Sequence, residues 1–245
     1  MDLSSIFRFS DMVEYFPKIL SRFPVTLLIV VVSVAGGLVL GFILAAARIF
    51  KIPVLKELAA LYISFVRGTP ILVQLFVVYY GLPLLVAPLG VDINHWSKLF
   101  FVLVTYLLND GAFMSEIIRS SIESVPKGQL EAAASVGLTT FQTYKRIIIP
   151  QAFKIAAPAF GTRVIGSFQA TAMAFTLGII DIMGQVKAIG TRTNRVLEGY
   201  VDAAIIFTSF PIYWSVCLPG WSTGLMVRQG GRKMASPFEF RMFLQ

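Results

Sequence analysis

Apolar residues run without a charge from Val25 to Ala47. A hydrocarbon core about 30 Å thick needs roughly 20 helical residues, so this stretch predicts a membrane-spanning helix by length alone. Further apolar runs follow from about Ile63 to Val86, Trp96 to Phe113, Ala156 to Ile182 and Ala203 to Leu218. The pattern predicts an all-α, polytopic membrane protein with about five transmembrane helices over residues 25–218. Arg67 and Arg163 interrupt the second and fourth runs; near the cytoplasmic ends of their helices, both side chains can snorkel to water. Ahead of the first span, Met12, Val13, Phe16, Ile19, Leu20 and Phe23 recur at helical spacing, which marks residues 1–24 as an external or interfacial segment carrying a short amphipathic helix. That segment mixes Asp2, Asp11 and Glu14 with Arg8, Lys18 and Arg22, which is not the layout of a cleaved secretory signal.

Composition agrees with the pattern: 56% of the 245 residues are hydrophobic and 14% charged, with a mean hydropathy of +0.77. A soluble domain carries nearer 25% charge. The excess of 21 Lys and Arg over 13 Asp and Glu gives a net charge of +8, but the cations lie scattered between apolar runs and form no continuous face for nucleic acid. They fit cytoplasmic loops instead. Placing the first loop, the third loop and the tail inside puts 14 of the 21 basic residues in the cytoplasm, so the positive-inside bias predicts an external N-terminus and an internal C-terminus in the cell membrane. One Cys and one His supply neither an internal disulfide nor a metal site of the usual ligand count, and no cofactor is called for.

The longest polar segment, Ser115 to Pro150, has helix punctuation inside it and reads as a folded cytoplasmic loop, about 119–150 in its core. Pro126, Lys127 and Gly128 form a turn, Gln129 to Val136 is an Ala-rich helical stretch, Gly137 can end it in a left-handed conformation, and Thr139 or Thr140 can cap the next helix. Small residues at Ala132 and Ala133 allow close approach of another protein surface, and Glu131 supplies a charge for orientation.

Glu131, Ala132, Ala133, Gly137 and the closing Ile149–Pro150 resemble the EAA loop of permease subunits of ATP-binding-cassette (ABC) importers. The run Arg67, Gly68, Thr69, Pro70 with Gln74, and Asn109, Gly111, Ala112, Ser115 and Glu116 in the third span, are similar to the polar amino-acid branch of that family. The likeness extends over roughly residues 16–211. It implies that the loop couples to a partner ABC ATPase through Glu131, Ala132, Ala133 and Gly137. It also implies that the chain pairs with a second permease copy, identical or closely related, and receives substrate from an extracytoplasmic binding protein.

A substrate path is expected between the second, third and fourth spans, lined by Thr69, Gln74, Asn109, Gln169 and Thr171, uncharged hydrogen-bonding groups in otherwise apolar helices. For Asn109 and Asp110 a second reading stands beside it: polar groups in lipid find partners on neighbouring helices whether or not they touch a substrate. Permeases resembling this one often carry a Lys-Asp pair in the fourth span, where this chain has Gln169 and Ala170. A cationic substrate side chain would want a carboxylate there to offset its desolvation, so polar, net-neutral amino acids fit better. The runs Ala174, Phe175, Thr176 and Asp181, Ile182, Met183, Gly184 resemble cystine-type permeases, which implies a polar or sulfur-containing substrate such as cystine. The chain also departs near its end. Pro211, Pro219 and Gly220 break the fifth run, and residues 219–245 form an atypical Gly-rich, basic tail, the character that a change of reading frame near Cys217 would produce.

The chain lacks a Gly-x-x-x-x-Gly-Lys-Ser/Thr phosphate loop, so the energy of an ABC permease would come from its partner. A stand-alone secondary transporter or channel is the alternative, though related halves or a charged relay inside the spans would be expected of it. A membrane enzyme would need a nucleophile-base pair or metal cluster, and the single His95 sits alone in an external loop.

Overall fold

The structure is a computed structural model that describes residues 7–217; the tail at 219–245, and with it the proposed change of frame, lies outside the described residues. The expected leader helix is present as α1 (Phe9–Leu20). It buries Tyr15 and Ile19 in a cluster with Val186, Ile189 and Ala203, while Phe9, Val13 and Leu20 stay exposed on its other side. The first span, α2 (Phe23–Ile49), starts with Pro24 in its first turn, where a missing N–H costs nothing.

The second apolar run is not one helix. Pro70 forces Thr69 into an extended conformation (φ −116°, ψ 143°), because the proline ring excludes the preceding residue from helical backbone. The run therefore divides into α3 (Leu55–Gly68) and α4 (Ile71–Val86), and the expected continuous helix from Ile63 is corrected to a broken one. The third span also differs, running as α5 from Lys98 to Glu123, well past Phe113. Its start is fixed by the Ser97 hydroxyl, which accepts from the Phe100 N–H at 3.3 Å. Its polar end stays helical because Arg119 pairs with Glu116 and Glu123, one turn away on either side.

After the loop helix α6 (Gly128–Ser135), a single turn α7 (Thr140–Thr143) widens into a π turn at Tyr144–Ile148 and enters α8 (Ile149–Ala170). The widening falls where Pro150 has no N–H to offer the carbonyl four residues back. A 3₁₀ stretch (Thr171–Leu177) ends at Gly178, α9 (Ile182–Thr193) leaves at 46°, and α10 (Leu197–Cys217) closes the described chain. Among the described residues, α2, the α4 region and α5 are each long and apolar enough to span a membrane, and the bent α7–α9 segment makes a fourth.

The centre of the bundle is the contact between α2 and α5. Ser33, Gly37, Gly41 and Ala45 recur every fourth residue and are all buried, a small-residue stripe that lets backbones touch. A Cβ added at Gly37 would lie 2.6 Å from the Asp110 Cβ, and one at Gly41 would lie 2.9 Å from the Ser115 backbone nitrogen. The close seam brings the polar middle of α5 into the bundle interior.

Candidate functional site

The break between α3 and α4 leaves backbone carbonyls without helical partners, and Gln74 takes them up. Its Nε2 donates to the Val66 carbonyl at 2.7 Å, and to the Thr69 carbonyl and Oγ1 at 2.9 Å each. Its Oε1 accepts from Asn109 Nδ2 at 2.9 Å. Asn109 Oδ1 in turn accepts from Arg163 Nη2 at 2.5 Å. Arg163 Nε donates to Asp110 Oδ1 at 2.8 Å, and that same oxygen accepts from the Ser167 hydroxyl at 2.5 Å. One hydrogen-bond chain thus links α3, α4, α5 and α8 through side chains that are buried or nearly so.

Three of the five expected path residues, Thr69, Gln74 and Asn109, belong to this chain. The other two do not. Gln169 is exposed, and Thr171, though fully buried, gives its hydroxyl to the Phe168 carbonyl of its own helix at 2.7 Å. The structure thus joins three of the five in one network, which Asp110, Arg163 and Ser167 extend.

Arg163 is the largest correction. It lies midway along α8 and its continuation, opposite Asp110 midway along α5, and its side chain is only 15% exposed. It does not snorkel. Its guanidinium sits 4.0 Å from the centre of the Phe113 ring, and Arg67 approaches the same ring at 5.6 Å. Asp110 is 1% exposed, and its Oδ2 has no hydrogen-bond partner among the described residues. The sequence signal was available as two opposite charges within predicted spans, but nothing local tied residues 53 positions apart.

Asp181 is fully buried and caps α9 by accepting from the Gly184 N–H at 2.8 Å. His95, by contrast, stands in an exposed loop as expected, 3.9 Å from Asp92. The backbone and side-chain N–H groups of Asn94 hold the Asp92 carboxyl below its usual range there.

The loop between α5 and α8 is built as its punctuation predicted. Gly137 adopts φ +76°, and the Gly137 and Leu138 N–H groups close back on the Ala134 and Ala133 carbonyls, the arrangement that ends a helix with a left-handed residue. Thr139, not Thr140, caps α7 in a reciprocal capping box with Gln142. Glu131 and Ala132 are exposed, as are Val136 and Phe141. Ala133 is 2% exposed; it packs into its own chain and cannot form part of an outward surface together with Ala132. Behind the loop, Arg48 at the end of α2 donates to Glu116 Oε2 at 2.7 Å, so the loop hangs from a crosslinked pair of helix ends.

Comparison with known proteins adds a context for this geometry. Residues 37–227 match the family described as the binding-protein-dependent transport system inner membrane component. The chain is 42% identical over 194 residues to the L-cystine transport system permease protein TcyL of Bacillus subtilis (strain 168), covering 79% of this chain and 81% of that one. It is 36% identical over 200 residues to the arginine transport system permease protein ArtQ of the same organism, covering 81% and 88%. A crystal structure of an amino acid ABC transporter with histidines superposes with a TM-score of 0.78 at 32% identity, covering 87% of this chain and 96% of that chain.

Proposed function

The chain belongs to the family of binding-protein-dependent transport system inner membrane components, and on that premise we propose how its residues divide the work of moving an amino acid. As a permease subunit of an ABC importer it is a multi-pass cell-membrane protein and not an enzyme, working with an ATPase, a second permease subunit and an extracytoplasmic binding protein. With α10 counted as a fifth span beside the four candidates, the basic residues of the loops favour an N-terminus outside and a C-terminus inside.

The substrate path follows the Thr69, Gln74, Asn109 chain. The observation that carries this reading is the buried polar network at mid-bundle, crossing a discontinuous helix. Charged and amide groups halfway through a bilayer are costly, and broken helices are the places where transporters hold polar ligands. Gln169, at the end of α8, and Thr171, in the 3₁₀ stretch that follows, form the approach to this network and not its lining.

The electrostatics favour a substrate with no net positive charge. Arg67 and Arg163 face one ring, and Asp110 is the single carboxylate paired among them. A lysine or arginine side chain entering there would lose its hydration and find the one carboxylate already paired with Arg163. A neutral polar or sulfur-containing amino acid, of the cystine type by similarity to the 42% identical relative, avoids that cost. The test is competition for ATP-driven uptake in proteoliposomes by unlabelled L-cystine, L-glutamine and L-arginine with the binding protein present. Competition by cystine or glutamine and little by arginine is expected; strong arginine competition would overturn the substrate class.

Coupling to the ATPase runs through the exposed Glu131 and Ala132 surface, with Ala133 anchoring α6 to the bundle and Gly137 aiming it. Gly137→Val places a β-branched residue at φ +76°, a left-handed conformation that costs about 1–2 kcal/mol even before branching is considered. No neighbouring atom lies within 4 Å of an added Cβ, so the penalty is conformational and the bundle is spared. The variant is expected to insert and assemble but to hydrolyse ATP with little transport. Normal uptake per ATP hydrolysed would remove Gly137 from the coupling element.

A further inference from the structure

We infer that the Arg163 guanidinium receives the carboxylate of the transported amino acid, an assignment that rests on the substrate path proposed above. A guanidinium carries five N–H donors and stays protonated in any protein environment. Here Nε serves Asp110 and Nη2 serves Asn109 and Asp110. Nη1 makes no hydrogen bond or ion pair among the described residues. A side chain only 15% exposed thus presents an unused pair of N–H donors on Nη1, which is not among the buried unpartnered atoms and stays open to a ligand.

The neighbouring acids leave that fork free for a ligand. Arg67 makes no ion pair among the described residues, and Asp110 Oδ1 already takes Arg163 and Ser167. The next acid on α5, Glu116, is engaged by Arg48 and Arg119. Arg67 is exposed, so of the two guanidiniums at Phe113 only Arg163 is held inside, paired with the one carboxylate of Asp110. A planar carboxylate matches the guanidinium fork in shape and strengthens its hydrogen bonds by charge. Every α-amino acid carries one. Stacking on Phe113 at 4.0 Å and the bonds to Asp110 and Asn109 hold the fork in place, so those three are positioning residues and Arg163 is the contact.

The test uses the complete complex of this chain with its ATPase, in nanodiscs, without the binding protein, so that only the permease chooses. The probe is whichever of L-cystine, L-glutamine or L-arginine gives the largest uptake, compared with its primary amide, which keeps the ammonium and side chain but lacks the carboxylate charge. Wild type should bind the acid more tightly than the amide by about 10- to 100-fold. Arg163→Gln, and Arg163→Gln combined with Asp110→Asn to keep the interior neutral, should bring that ratio near one; Arg163→Lys should fall between. A purely structural role would lower both affinities and leave the ratio alone. An unchanged ratio in the double variant, or no saturable binding to wild type at millimolar concentrations, overturns the assignment. Asn109→Leu separates the two ideas. If it cuts uptake while the ratio stays fixed in the Arg163 variants, only the carboxylate site fails; if uptake is unaffected, the path itself is wrong.

Discussion

Asp110→Ala is expected to destabilise the purified permease complex by about 3–5 kcal/mol, the cost of leaving a buried charge without its partner. Arg163 loses both of its ion-pair contacts to Oδ1, and the Ser167 hydroxyl loses its acceptor at the same time. The guanidinium cannot discharge by losing a proton, so the bundle must open to water or rearrange. Replacing the pair together, with Asp110→Leu and Arg163→Met, removes the charge instead of stranding it and should restore most of the stability, because apolar substitutes for a buried ion pair are often neutral or better. The same double variant should not restore uptake. Thermal unfolding in detergent reads the first effect and proteoliposome uptake the second. A single variant within about 1 kcal/mol of wild type would mean that Arg163 has another partner.

Gly37→Leu is expected to cost about 3 kcal/mol, the upper end for overpacking, and to prevent recovery of an assembled complex. The reason is backbone proximity. A Cβ there meets the Asp110 Cβ at 2.6 Å and the Gly111 nitrogen at 3.1 Å, and α5 cannot retreat without carrying Asn109 and Asp110 away from Arg163. The stability loss and the transport loss should therefore appear together. Leu at the exposed Val39 (65% exposed) should leave both unchanged, and the yield of complex after affinity purification distinguishes the two positions.

What could be read along the chain was chemistry contained within a few residues. Gly137 and Thr139 declare a left-handed helix end and a cap through their own backbone and hydroxyl groups, and both are found where the spacing put them. The apolar length of Val25–Ala47 likewise required a span, and α2 supplies it. The second run was misjudged because hydropathy is continuous across Thr69–Pro70 while the backbone is not; the proline constraint was present in the sequence but outweighed by the apolar residues around it. Ala133 shows a different limit, since a small residue serves an outer surface or an inner seam equally well, and only the packing chooses.

The network itself needed the third dimension. Gln74, Asn109 and Arg163 come from three helices, and Arg163 changes from a snorkelling cation to the centre of the site once Asp110 stands opposite it. Charge inside a predicted span signalled function in general terms. Its partner was fixed by the α2–α5 seam, whose glycines set how deeply α5 enters the bundle.

The central claim, that substrate passes Asn109, is tested most directly by thiol labelling. In a Cys217→Ser background, Asn109→Cys in the assembled transporter is exposed to a small, membrane-impermeant thiosulfonate from each side, nucleotide-free and with ATP. His95→Cys in the exposed loop (side chain 92% exposed) is the control. The account predicts labelling at position 109 in at least one nucleotide state, slowed by the transported amino acid, with no such protection at position 95. No labelling at 109 in any state, or labelling indifferent to substrate, would contradict it.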